Sequence, residues 1–170
     1  MNKPYTLIGI LIIGFILQAG VAPYISIMGA APNFFLIIVT VAALTNGSDK
    51  GALVGFVAGL MLDLMGTGPV GSWALVLSVT GYVTGLLDQH LFAEGWLLPV
   101  TVLSFASLIG EFLYLCVVVT LGSELPFFSS IWSLVLPTTL YTIFIAVLAF
   151  PLLSRLLQEE QSIASFKRVA

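Results

Sequence analysis

The chain has 170 residues, of which 59% are hydrophobic and 8% charged, and its mean hydropathy is +1.15. Soluble domains carry about 25% charged residues, and a globule of this length has no core large enough to hide so much apolar surface. Intrinsic disorder is excluded as well, because too few charges keep the chain solvated. A net charge of −3 with five basic residues leaves no face for nucleic acid. What remains is a polytopic membrane protein of one compact domain.

A helix needs roughly 20 mostly apolar residues to cross about 30 Å of hydrocarbon. In chain order the sequence predicts spans near 5–28, 33–46, 51–65, 72–87, 96–121 and 128–155, followed by a cytoplasmic tail over 156–170. The breaks fall where turn chemistry and charge coincide: Gly29 to Pro32, Asn46 to Lys50, Gly66 to Gly71, Asp88 to Glu94, and Gly122 to Pro126. Whole spans are apolar rather than alternating, so the expected fold class is an all-α membrane protein, a six-helix polytopic bundle. The second and third spans look short for a full crossing, and a re-entrant hairpin is the alternative for that pair.

Six spans place both termini on one side. With the amino terminus inside, Lys3, Lys50, Arg155, Lys167 and Arg168 all fall on the cytoplasmic side and no basic residue falls on the other. The first span resembles a secretory signal in having Lys3 ahead of an apolar stretch and Gly20-Val21-Ala22 as a cleavage-like triplet. Pro23 makes that an awkward cleavage site, and the span reads as a retained anchor.

Ionisable side chains inside lipid cost about 2.5–3.5 kcal/mol on insertion scales and ask for a reason. The candidates are Asp63 in the third span and Glu111 in the fifth, with neutral Gln18 in the first. Asp63 lies 12 residues past Gly51, Gln18 13 past Tyr5 and Glu111 15 past Trp96. At 1.5 Å per residue these are depths of roughly 18, 20 and 22 Å, all in the outer half. An intramembrane polar layer of Gln18, Asp63 and Glu111 follows if the helices face one another, with Ser78, Thr138 and Thr142 able to join it. Two carboxyls brought together there would share a proton. Asp63 near a helix end has two further readings, contact with interfacial water or contact with a partner. A neutral, hydrogen-bonded Asp63 predicts that Asp63→Asn is mild and Asp63→Ala worse.

The clearest pattern is a glycine ladder. Gly47, Gly51, Gly55 and Gly59 recur every four residues and Asp63 continues the series. That spacing keeps them on one helix face, where missing side chains admit another backbone. Gly81 and Gly85 repeat the device in the fourth span. Such a face serves either packing within the bundle or docking of another membrane protein.

Other residues carry less. Cys116, the one cysteine, excludes a disulfide framework and a thiolate metal site and reads as a small buried hydrophobe. His90 stands without a second histidine, so no metal site is expected. Trp73, Trp96 and Trp132 lie near span ends, as interfacial aromatics do. Pro99, Pro137 and Pro151 kink or begin helices. The tail has Leu156, Ile163 and Phe166 near helical spacing and suits a membrane surface, a cytoplasmic partner or a solvated end. No nucleophile has a base near it and no phosphate-cradling loop precedes a lysine, so no catalytic residue and no cofactor are expected.

A short second span opening with Pro32-Asn33 leads through a small polar turn to Gly51, Gly55 and Gly59, and then to Leu62-Asp63-Leu64. A loop with Gly71 follows, and Gly81-Tyr82 stands in the next helix. This arrangement resembles the rod shape-determining protein MreD family, over the spans as a whole but most specifically within 32–82. Gln18, Glu111 and the tail lie outside the motif. The resemblance implies a non-enzymatic subunit of the bacterial cell-elongation machinery in the cytoplasmic membrane. It would bind the single-span protein MreC and, through it, work with MreB, RodA and the partner transpeptidase in sidewall peptidoglycan synthesis. The family is also similar in fold to the S components of energy-coupling-factor transporters. That similarity supplies an alternative, capture of a small molecule in an outward-facing cavity lined by Gln18, Asp63 and Glu111. Against it, the outer loops are too short to form a lid.

Overall fold

The computed structural model describes residues 4–27, 29–87, 97–123 and 126–149. Six helices follow in order: α1 (Pro4–Ile16, continued by a π-helical turn over Leu17–Val21), α2 (Phe34–Asn46), α3 (Ser48–Met65), α4 (Ser72–Gly85), α5 (Leu97–Thr120) and α6 (Phe127–Ala149). Among the described residues the only extended pairing is an isolated bridge between Ile27 and Ala30.

The predicted spans match these helices except at their edges. The first was expected to reach residue 28, but helix gives way to turn at 22–25. Pro23 is the physical reason, since it lacks the N–H that would continue the helix. The third helix begins at Ser48 rather than 51, because Gly47, at a φ of +89°, turns the chain directly into it. In α6 a π-helical turn over Ile131–Val135 precedes Pro137, whose missing N–H breaks the ladder there. The Asp88–Glu94 loop, His90, Trp96, Arg155, Pro151 and the 156–170 tail lie outside the described residues.

α2 is the centre of the bundle. Every residue from Phe35 to Leu44 is buried, on all sides of the helix. α1, α3, α4 and α5 all pack on it. The other helices turn apolar side chains outward, among them Ile12, Phe56, Leu75, Phe105 and Phe144, each about half or more exposed. An apolar exterior around an apolar centre is the pattern of a protein solvated by lipid. α5, from Val100, and α6 are each long and apolar enough to cross a membrane.

The glycine ladder explains the closest helix pair. α3 and α4 run antiparallel with their backbones in direct contact. A Cβ on Gly51 would lie 2.5 Å from the Gly81 carbonyl oxygen, and one on Gly55 would lie 2.5 Å from the Leu77 carbonyl carbon. A Cβ on Gly59 would come closer still to Trp73 and Ala74, and one on Gly85 would lie 2.5 Å from Ser48. In this chain α4 lies against that face of α3 at Gly51, Gly55 and Gly59. Gly14 against Ile38 and Gly110 against Leu36 extend the same device to α1 and α5.

Candidate functional site

Two of the helices are short. α2 has 13 residues and α4 has 14, or roughly 20 Å each at 1.5 Å per residue, against about 30 Å of hydrocarbon. Both begin at the same end of the bundle, beside the carboxy end of α3. A helix that starts late exposes backbone N–H groups where water does not reach, and each unbonded one is costly. The unusual polar side chains of the chain are spent on these two helix beginnings.

At α4 the cap is Asp63, in the last turn of α3 and 5% exposed. Its Oδ2 accepts hydrogen bonds from the backbone N–H of Gly71 (2.9 Å) and Ala74 (3.1 Å), and its Oδ1 accepts from Trp73 (3.0 Å). The N–H of Ser72 turns back to the Pro69 carbonyl at 3.3 Å. From Leu75 onward the helix bonds to itself, beginning with the Gly71 carbonyl. Every backbone N–H at the start of α4 is thereby satisfied. A carboxylate at a helix amino end also meets the favourable end of the helix dipole. Gly71 holds a φ of +99°, a backbone conformation glycine adopts without cost, which bends the loop so that its N–H reaches Asp63. Trp73 then stacks on Tyr114 of α5, with ring centroids 3.9 Å apart and planes 13° from parallel.

At α2 four residues share the task. Asn33 is the N-cap, its Oδ1 accepting from the Leu36 N–H at 3.0 Å. Its Nδ2 donates to Glu111 Oε1 at 3.1 Å, and its own backbone N–H donates to Thr142 Oγ1 of α6 at 3.0 Å. Gln18, on the π-helical turn of α1, accepts from the Phe34 N–H through Oε1 at 2.8 Å and donates to the Pro32 carbonyl at 3.3 Å. Pro32 is buried beneath it. Helices α1, α5 and α6 are thus pinned to one helix beginning.

The expected polar layer therefore divides in two. Gln18, Glu111 and Thr142 meet at α2, whereas Asp63 belongs to α4, and no hydrogen bond among the described residues joins the two carboxylates. The expectation of a proton shared between Asp63 and Glu111 is not met here, since the two carboxyls accept from different groups, Asn33 at Glu111 and Gly71, Trp73 and Ala74 at Asp63. Ser78 and Thr138 take no part in either group. Asn33, known beforehand only through the family motif, is the hub of the α2 group; an asparagine directly before an apolar run is itself an N-cap signal. The Trp73–Tyr114 stack had no sequence signal. Trp132, near the start of α6, is 74% exposed. Cys116 is partly exposed rather than fully buried. Among the described residues no group of acids, histidines or cysteines is placed to hold a metal.

In this arrangement Asn33 and Asp63 close helix beginnings, and Gly51, Gly55, Gly59, Gly81 and Gly85 let α3 and α4 approach. The family model for the rod shape-determining protein MreD matches residues 2–160. The chain belongs to the MreD family. No curated protein and no solved structure matches it, so the likeness to transporter S components finds no support there. As an MreD-family chain it is a rod shape-determining membrane protein.

Proposed function

We propose that this protein is a non-enzymatic adaptor of the cell-elongation machinery, seated in the bacterial cytoplasmic membrane with six spans and both termini in the cytoplasm. It binds the transmembrane segment of MreC and thereby helps organise MreB, RodA and the partner transpeptidase for sidewall peptidoglycan synthesis. The observation that carries this reading is the family match over residues 2–160, which takes in all six helices.

The geometry supports an adaptor in one respect. Gln18, Asp63 and Glu111, the residues that would line a capture cavity, are engaged with helix beginnings. A rigid bundle with an apolar exterior suits contact with another span within the membrane.

Gentle purification from native membranes, with mass spectrometry of what accompanies the protein, tests this. Recovery of a single-span protein with a large extracytoplasmic region, and of cell-wall synthases in smaller amounts, is expected. Recovery of an ATPase pair with a coupling membrane subunit, or of a bound vitamin-sized molecule, overturns it in favour of transport.

A further inference from the structure

Six buried hydroxyls make no hydrogen bond among the described residues, and three of them, Thr40 on α2, Thr80 on α4 and Ser107 on α5, stand on three helices that pack on one another. They are 0%, 5% and 0% exposed. The packing of neighbouring residues places them along one seam. A Cβ on Gly110 would lie 2.8 Å from Leu36 Cδ1 and 3.7 Å from Thr80 Oγ1, so Leu36, Thr80 and Gly110 converge. Thr40 stands one turn beyond Leu36 on the same face of α2, and Ser107 about one turn before Gly110 on α5. Because α2 and α5 run in opposite directions, both steps lead the same way along the bundle, away from the Asn33–Glu111 pair.

A buried hydroxyl without a partner is costly, and a Ser or Thr in a helix ordinarily relieves that cost by bonding to a carbonyl of its own preceding turn. Three that decline this option along one seam each offer one donor and two accepting lone pairs, enough for the roughly three hydrogen bonds a buried water makes. The three hydroxyls are uncharged, and the nearby carboxyl, Glu111, one turn from Ser107, turns its Oε1 to Asn33. A neutral ligand is therefore indicated over a cation.

We propose that Thr40, Thr80 and Ser107 bind a buried water molecule that joins α2, α4 and α5 below the helix caps. A high-resolution crystal structure of the full chain in lipid tests this directly. Solvent density within about 2.7–3.2 Å of at least two of the three hydroxyl oxygens is expected. A seam without density, its hydroxyls turned onto helix carbonyls or one another, overturns the proposal. Thr40→Val and Ser107→Ala supply a second readout. Each keeps the packing but strips the water of one partner, and should lower the Tm in detergent by roughly 2–4 °C. An unchanged or raised Tm overturns the site, because removing an unbonded hydroxyl from a dry seam relieves the structure.

Discussion

Gly55 of α3 lies so close to Leu77 of α4 that a Cβ on it would fall 2.5 Å from the Leu77 carbonyl carbon and nearer still to its oxygen. Backbone cannot rotate away as a side chain can. Gly55→Ala should therefore push the two helices apart and destabilise by about 2 kcal/mol or more, at the upper end of overpacking costs, with Gly55→Leu abolishing folded yield. Gly9 on α1 is the control, because nothing lies within 4 Å of the added methyl; Gly9→Ala should be neutral or stabilise by up to about 1 kcal/mol. Thermal melting in detergent separates them, and equal behaviour of the two alanine variants would refute close packing of α3 on α4.

The cap on α4 removes the difference between Asp63→Asn and Asp63→Ala that the sequence alone suggests. Both carboxylate oxygens are acceptors, Oδ2 for Gly71 and Ala74 and Oδ1 for Trp73. An amide keeps one accepting oxygen and turns an NH2 toward a backbone N–H. Asp63→Asn should thus cost about as much as Asp63→Ala, on the order of 1–3 kcal/mol. Melting curves for both variants decide the matter: an Asp63→Asn protein as stable as the parent discards the cap.

Much of this fold is legible in the sequence because its turns are built from Gly, Pro, Asn and Asp, which punctuate apolar runs unmistakably. The period of the glycines also defines one face of α3. What covers that face is not legible, since lipid, a neighbouring helix and a partner are all apolar. The candidate site follows the same division. Counting residues puts Gln18, Asp63 and Glu111 at one depth, and the cause of that shared depth is that α2 and α4 begin there. The count does not reveal that there are two beginnings, or that Glu111 is bonded to a residue 78 positions earlier. Such pairings are set by how the helices cross, and no local pattern encodes them.

The hydrogen bond from Asn33 to Glu111 has a polarity that substitutions can invert. Asn33→Asp preserves the oxygen that caps the Leu36 N–H but sets an acceptor against Glu111 Oε1. Alone it should destabilise by about 1–3 kcal/mol. Adding Glu111→Gln supplies an NH2 in place of the lost donor. A double-mutant cycle should then show favourable coupling of about 1 kcal/mol or more. Strictly additive effects would show that the pair is not a working contact.

The proposed orientation rests on Lys3, Lys50, Arg155, Lys167 and Arg168 falling on one side. It can be read out at the two ends of α3. Asp49, in its first turn, and Thr67, just past its end, are both exposed, and the 18 residues of the helix separate its ends by roughly 27 Å. In a Cys116→Ser background, a membrane-impermeant maleimide added outside spheroplasts should label Thr67→Cys and leave Asp49→Cys untouched until the membrane is permeabilised. The opposite pattern would invert the topology. Labelling of both from outside would mean that α3 does not carry the chain across, and the α2–α3 pair would then be a hairpin entering from the outer face.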